Sequence, residues 1–73
     1  MTQEQIFDWL VTKSVAEPAV LQMGDRFIVG RWETMSVKVP NGYILRTGRV
    51  AVHVLGEGAT WTEAYEAAKA RLA

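Results

Sequence analysis

The stretch that decides the fold is Tyr43-Ile-Leu-Arg-Thr-Gly-Arg-Val-Ala-Val-His-Val-Leu55, in which two apolar-rich runs flank Thr47-Gly48. Two-residue loops that contain glycine are typical of β-hairpins, so this stretch predicts a hairpin that turns at Thr47-Gly48 and pairs Arg46 with Arg49. One face would be apolar and would form the core: Tyr43, Leu45, Val50, Val52 and Val54. The other face would be mixed and basic: Ile44, Arg46, Arg49, Ala51, His53 and Leu55.

A second turn signal precedes this hairpin. The segment Pro40-Asn41-Gly42 combines the residues of a type I turn with a glycine for the following left-handed position. A three-residue loop here would place Val39 near Tyr43 and Val37 near Leu45. Both turns therefore assign the same face of the sheet to the core.

Further strands are predicted upstream. Gly24-Asp25 fits a two-residue hairpin loop between strands over residues 19–23 and 26–32. Glu33-Thr34 is interpreted as a turn before a strand over residues 35–39. The central part of the chain is thus expected to form an antiparallel meander of four or five strands.

Capping boxes predict a helix at each end of the chain. Thr2, with glutamine three positions later, predicts a helix over residues 3–14, and Thr60, with glutamate three positions later, predicts one over residues 61–72. The first helix has a broad apolar face: Ile6, Phe7, Trp9, Leu10 and Val11. The second has a stripe at helical spacing: Trp61, Ala64, Tyr65, Ala68 and Leu72. Residues 1–73 are expected to be one small α+β domain, with both helices on one face of the sheet.

The composition excludes several classes of protein. The 73 residues contain no cysteine and one histidine, so disulfide frameworks and thiolate zinc sites are excluded, and no metal or cofactor is expected. A formal net charge of zero argues against a general nucleic-acid binder and against an acidic DNA mimic. No apolar run approaches the roughly 20 residues of a membrane span, and the polar start lacks a signal peptide, which favours a cytoplasmic protein.

No catalytic constellation is indicated. His53 has no serine, cysteine or aspartate at a recognisable catalytic spacing. Gly56-Glu57-Gly58 precedes a helix, but the third glycine of a dinucleotide fingerprint is replaced by Trp61. The glycines are explained by the change from strand to helix, and the chain is interpreted as non-enzymatic.

The charge is unevenly distributed. Residues 25–49 carry five Lys and Arg against two Asp and Glu, so this segment has a charge of +3. Arginine and tryptophan are residue types that often anchor interfaces. The candidate partner-binding residues are Lys38, Arg46, Arg49, His53, Arg26, Arg31 and Trp32.

The C-terminal quarter of the chain resembles a known strand-to-helix step. The run Gly58-Ala-Thr-Trp-Thr-Glu-Ala64 is similar to the Gly-x-Thr-x-x-Glu-Ala run of HicB-type antitoxin domains. A helix comes first here and the Pro-Gly segment of that family is missing, so toxin binding is not carried over. In size and style the whole chain is similar to small accessory proteins of phages and prophages, including anti-CRISPR proteins, which implies one compact domain without a catalytic site.

Three hypotheses follow. The first is a protein-binding module, such as a phage-type inhibitor or accessory factor, which acts on a host protein complex by presenting its basic sheet face to an acidic surface. The second is single-stranded nucleic-acid binding through Arg26, Arg31, Trp32 and Tyr43, together with the basic residues of the sheet face. The third is a homodimer that buries the uncovered face of the sheet.

Overall fold

The computed structural model is an α+β fold with two helices and one antiparallel sheet. It describes the backbone of residues 1–38, 40, 42 and 44–73 and the side chains of 1–34, 40, 42, 48 and 51–73. The elements are α1 (Gln3–Thr12), β1 (Pro18–Met23), β2 (Arg26–Lys38), β3 (Ile44–Gly58) and α2 (Trp61–Leu72).

Helix α1 begins at the predicted capping box. The Gln5 amide donates to the Thr2 hydroxyl at 3.2 Å, and the Thr2 amide donates to the Gln5 side chain at 2.9 Å. The helix ends two residues earlier than predicted because Ser14 adopts a left-handed φ of 59°. The Val15 amide then donates to the carbonyl of Leu10 at 3.1 Å, which is the bond that closes a Schellman motif.

Only one stripe of α1 faces the sheet. Ile6 and Leu10 are fully buried, whereas Phe7 is 43% exposed and Val11 is 54% exposed. The prediction of a broad apolar face on this helix was therefore wrong, because the packing partner of α1 covers a single side of it.

Helix α2 spans the residues that its capping box predicted, 61–72. The Thr60 hydroxyl accepts a hydrogen bond from the Glu63 amide at 3.1 Å, and the Glu63 carboxylate accepts one from the Ala59 amide at 2.8 Å. Within the predicted stripe, Ala64 and Ala68 are fully buried.

The core lies between the two helices and one face of the sheet. Its buried members are Ile6, Leu10, Val29, Ala64 and Ala68, and partly buried side chains pack around them: Trp9, Val15, Val20, Phe27, Leu55, Trp61 and Tyr65. Two edge-to-face aromatic contacts tie the layers together, Trp9 to Tyr65 at 4.9 Å and Phe27 to Trp61 at 4.6 Å between ring centroids. Since both helices contribute to one cluster, both cover the same face of the sheet.

The hairpin predicted at Gly24-Asp25 is present. Strand β1 pairs with β2 from Met23 opposite Arg26 to Pro18 opposite Arg31, with Gly24-Asp25 as the connecting loop. Gly24 has a φ of 63°, the left-handed conformation that glycine adopts without steric cost.

Strands β2 and β3 are longer than predicted, at 13 and 15 residues, and the sheet of the described chain has three strands in the order β1-β2-β3, not four or five. Glu33-Thr34 does not form a turn, and neither does Thr47-Gly48. Both lie inside continuous strands. Lys38 pairs with Ile44, and between them Gly42 has the left-handed φ, 88°, that was predicted for it. Val37 pairs with Leu45, as predicted, while the predicted approach of Val39 and Tyr43 lies outside the described residues.

Three irregularities interrupt the pairing of β2 with β3. The register shifts between Val29 and Gly30, between Glu33 and Thr34, and between Met35 and Ser36, and at each shift β3 contains one extra residue. These are β-bulges, which bend a strand and increase its twist. The one nearest the tip of the hairpin uses Gly48, whose φ is 89°.

The absence of a turn at Thr47-Gly48 also reverses the predicted faces of β3, because the strand alternates without the change of face that a two-residue turn would introduce. Leu55 packs against the core, whereas Val54 pairs with Gly30 and is 40% exposed. Val52 and Val54 were predicted to face the core and Leu55 to lie on the uncovered face, and these assignments were wrong, since Val52 pairs with Trp32 on the side opposite the helices. All three residues are apolar, so their side-chain chemistry gave no signal for the correct assignment.

Helix α2 lies directly against the backbone of β3 at Gly56. A Cβ added to this glycine would collide with the backbone nitrogen of Ala68 and the carbonyl oxygen of Ala64. Because these are backbone atoms, the helix would have to move away as a whole. A glycine facing two alanines therefore sets how closely α2 approaches the sheet.

We predict that Gly56→Ala lowers the free energy of unfolding by about 3 kcal/mol, the upper end of the usual cost of overpacking. A domain of this size has a total stability of only about 3–5 kcal/mol, so the variant should be largely unfolded at room temperature. Urea denaturation followed by circular dichroism measures the change.

The matched control is Gly24→Asn, because Gly24 has open space around it and asparagine tolerates a left-handed φ. This variant should lose less than about 1 kcal/mol. Equal stability of Gly56→Ala and the wild type would show that the close approach of α2 is not required.

Candidate interaction surface

The most prominent feature of the molecule is a two-stranded arm. Strand β1 starts at Pro18 opposite Arg31, and the Trp32 amide donates a further bond to the Glu17 carbonyl at 2.8 Å. Beyond this point β2 and β3 continue as a pair, and we call residues 33–38 and 44–51 the arm. Six strand residues span about 20 Å, which contributes to overall dimensions of 47 × 27 × 19 Å.

Three of the predicted site residues lie on the arm. In the strand register Lys38 pairs with Ile44, Ser36 with Arg46, and Thr34 with Arg49. The two arginines therefore lie on the same strand, and the prediction that they face each other was wrong. The side chains of Lys38, Arg46 and Arg49 lie outside the described residues.

The other predicted cations lie at or below the root of the arm, and each has a carboxylate within 4 Å. Arg26 is 3.4 Å from Glu57. Arg31 is 3.9 Å from Glu33, and the Nδ1 atom of His53 is 3.5 Å from the same carboxylate oxygen. All five side chains are partly exposed, so these contacts are screened by water and contribute little to stability.

The structure divides these cations between the two faces of the sheet. Arg31 alternates in phase with the core residue Val29 and therefore lies on the helix side, as does His53, which pairs with it. Arg26 and Trp32 alternate with Ile28 on the opposite side. The described members of the predicted set thus do not form one continuous basic face.

The face of the sheet opposite the helices is apolar at its centre. By strand alternation we define this open face by the following residues: Ala19, Leu21, Ile28, Trp32, Val52 and Val54. Ile28 is buried, whereas Trp32 and Val52 are partly exposed and Val54 is 40% exposed. The Arg26–Glu57 ion pair borders this patch, since Glu57 pairs with Ile28.

A cleft of about 410 Å³ lies at the root of the arm. Its lining is Ala16, Glu17, Arg31, Trp32, Glu33 and Thr34. Four consecutive residues of β2 contribute, and consecutive strand residues point to opposite faces, so the cleft lies along the edge of the strand. Sequence reasoning missed this cleft because it placed a turn at Glu33-Thr34.

The described part of the chain contains no group of three or more His, Cys, Asp or Glu side chains that could hold a metal ion. Among the described residues, buried side-chain nitrogen and oxygen atoms all have hydrogen-bond partners. No helix there is long and apolar enough to cross a membrane.

Comparisons with protein-family models, with curated proteins and with solved structures gave no match to this chain.

The Arg26–Glu57 pair should stabilise the fold only slightly. In a double-mutant cycle of Arg26→Ala and Glu57→Ala, we expect a coupling energy below about 1 kcal/mol, because both side chains are half-exposed. Urea denaturation of the four proteins gives this quantity, and the coupling should fall further at about 1 M salt, where charges are screened within roughly 3 Å. A coupling energy well above about 1 kcal/mol that does not change with salt would contradict this prediction and show that the pair is important for stability.

Proposed function

We propose that this protein is a non-enzymatic protein-binding module whose arm docks onto an acidic surface of a partner protein. The observation that carries the proposal is the position of the positive charge. Residues 34–56 contain Lys38, Arg46 and Arg49 and no Asp or Glu, and the strand register collects these three residues on one arm. Arg26, Arg31 and His53 each lie within 4 Å of a carboxylate.

The arm is suited to docking because it extends past the helices. A projecting pair of strands presents its residues to a partner, and the net charge of +2 on the arm, from Lys38, Arg46 and Arg49 against Glu33, accelerates encounter with an acidic surface. Trp32 lies at the root of the arm and belongs to the apolar open face, and tryptophan is a frequent interface anchor. The charged arm and the apolar face together provide attraction and buried contact area.

The partner class follows from this chemistry. A surface rich in Asp and Glu with an apolar margin would complement the arm and the open face. In keeping with its small size, we infer that the protein acts in the cytoplasm as an inhibitor or accessory factor of the type that phages encode, bound to a host protein complex. Blocking a larger assembly in this way requires affinity and position rather than catalysis.

We predict that the double variant Arg46→Glu and Arg49→Glu binds the partner at least about 30-fold more weakly, since anchoring residues contribute about 2 kcal/mol or more. Its stability to urea should change by less than about 0.5 kcal/mol per site because these are strand positions away from the core. Affinity capture with tagged protein, with and without nuclease, followed by titration of the captured protein, measures the effect.

The matched control is Lys69→Glu with Arg71→Glu, which makes the same change in net charge on exposed positions of α2. The control should bind the partner with nearly the affinity of the wild type. Equal loss in both variants would indicate a general charge effect and remove the arm from the proposal. Capture that disappears after nuclease treatment would replace a protein partner with nucleic acid.

A further inference from the structure

The strand register places the three cations of the arm on the side of the sheet that the helices leave open. Residues that pair across strands lie on the same side of a sheet, as do residues two apart along a strand. Lys38 lies six positions after Trp32 on β2 and therefore shares its side. Arg49 and Arg46 pair with the residues two and four positions after Trp32, so both share this side as well.

The net charge of the sheet consequently lies on the open side. With His53 counted as neutral, the charged strand positions of the helix side are Arg31 and Glu33, whose charges cancel. On the open side four Lys and Arg outnumber one Glu, which gives a net charge of +3: Arg26, Lys38, Arg46, Arg49 and Glu57. An acidic partner is therefore attracted to the open side of the sheet.

The open side has an apolar part and a basic part, which follow each other along the strands. Strand β2 crosses the apolar part, the open face defined above, from Ile28 to Trp32. It continues through the basic part to Lys38, and the whole path from Ile28 is about 33 Å long. A complementary partner must therefore present apolar side chains followed by carboxylates.

Neither a second copy of the chain nor a nucleic acid matches this pattern. The one acid among the strand positions of the open side is Glu57, which lies 3.4 Å from Arg26, so two open sides would meet with excess positive charge on both. Single-stranded nucleic acid is bound by stacking on aromatic side chains, whereas the open face has one, Trp32, beside five aliphatic residues. The observations favour an acidic segment of a protein.

The width of the sheet matches a single helix. Adjacent strands are about 4.8 Å apart, so the outer strands of a three-stranded sheet are about 10 Å apart. One α-helix with its side chains is also about 10 Å wide. Helices already form the layer on the other side of this sheet, and a helix on each face is a common arrangement of layers.

We propose, on the basis of the function proposed above, that the open side receives one amphipathic helix of the partner protein, aligned with the strands. Its apolar side chains contact Trp32, Val52 and Val54, which are partly exposed. Its Asp and Glu side chains lie over the arm. At 1.5 Å per residue, the path of about 33 Å requires a helix of about 22 residues.

A synthetic peptide of about 22 residues tests the proposal. One half has leucine at helical spacing and the other half has glutamate at the same spacing, with alanine and glutamine elsewhere because they favour helices. The control peptide has the same composition, but its leucine and glutamate positions are mixed so that no stripe forms. Each peptide is added up to about 1 mM to isotope-labelled wild type, and amide and methyl signals are recorded by NMR.

The amphipathic peptide should shift the signals of Val52 and Val54 and bind at least about tenfold more tightly than the control peptide. The signals of Phe7 and Val11, which are exposed on α1, should not move. Absence of shifts up to about 1 mM, equal binding of both peptides, or shifts confined to α1 would overturn the proposal.

The same experiment detects the other occupants. Shifts of Val52 and Val54 that depend on the concentration of the protein alone would assign the open side to a second copy. Tighter binding of a single-stranded oligonucleotide than of the amphipathic peptide would assign it to nucleic acid. Either result would overturn the proposal.

A pair of variants tests the apolar part separately. Val54→Glu places a carboxylate on the open face and should weaken binding of the amphipathic peptide at least about tenfold. The matched control is Val11→Glu, since Val11 is 54% exposed on α1 and Val54 is 40% exposed, and it should bind like the wild type. Equal binding by both variants would overturn the proposal. If Val54→Glu fails to fold, the titrations of the wild type decide the question.

The helix and the proposed function can fail separately. If the peptide does not bind but the double variant Arg46→Glu and Arg49→Glu loses the captured partner, the helix is wrong and the arm docks onto an acidic surface of another shape. If the double variant keeps the captured partner, the proposed function is wrong, and this result does not depend on the peptide.

Discussion

The contact between Gly56 and helix α2 is the constraint on which the rest of the structure depends. A strand without a side chain at this point lets the backbone of α2 approach the backbone of β3 directly at Ala64 and Ala68. The close approach buries two alanines completely. It also leaves room for Trp61 and Tyr65 to flank the contact and reach Phe27 and Trp9. The large side chains of the core are thus arranged around a contact between small residues.

The bulge next to Gly56 serves the same contact. Gly56 faces the helix side, so with regular alternation its neighbour Leu55 would point to the opposite side. The extra residue that the bulge inserts in β3 allows Leu55 to pack on the helix side as well. At the same place Gly30 lies so close to the carbonyl of His53 that a side chain there would collide with it. A glycine on each strand therefore accompanies the bulge, one under the helix and one against the neighbouring strand.

The separation of charge along the sheet is a consequence of the length of β2 and β3 and of the register in which they pair. Near the helices, Arg26 and Arg31 find Glu57 and Glu33 across or along the strands, so positive charge is locally balanced. Farther along the sheet, residues 34–56 contain three Lys and Arg and no Asp or Glu. A neutral protein can therefore present a positively charged projection, which the net charge alone does not reveal.

The amino-acid sequence by itself determined the features that depend on neighbours a few residues apart. The caps of α1 and α2 and the Gly24-Asp25 hairpin are of this kind, because their hydrogen bonds close within five positions. Only the tertiary structure decided between two uses of a left-handed glycine. Gly48 has the conformation that a hairpin turn requires, yet it forms a bulge, because β2 and β3 already pair as a hairpin that starts with Lys38 opposite Ile44. The number of strands, the side of the sheet that Leu55 covers and the approach of Glu57 to Arg26 all follow from that choice, since each depends on residues far apart in the chain.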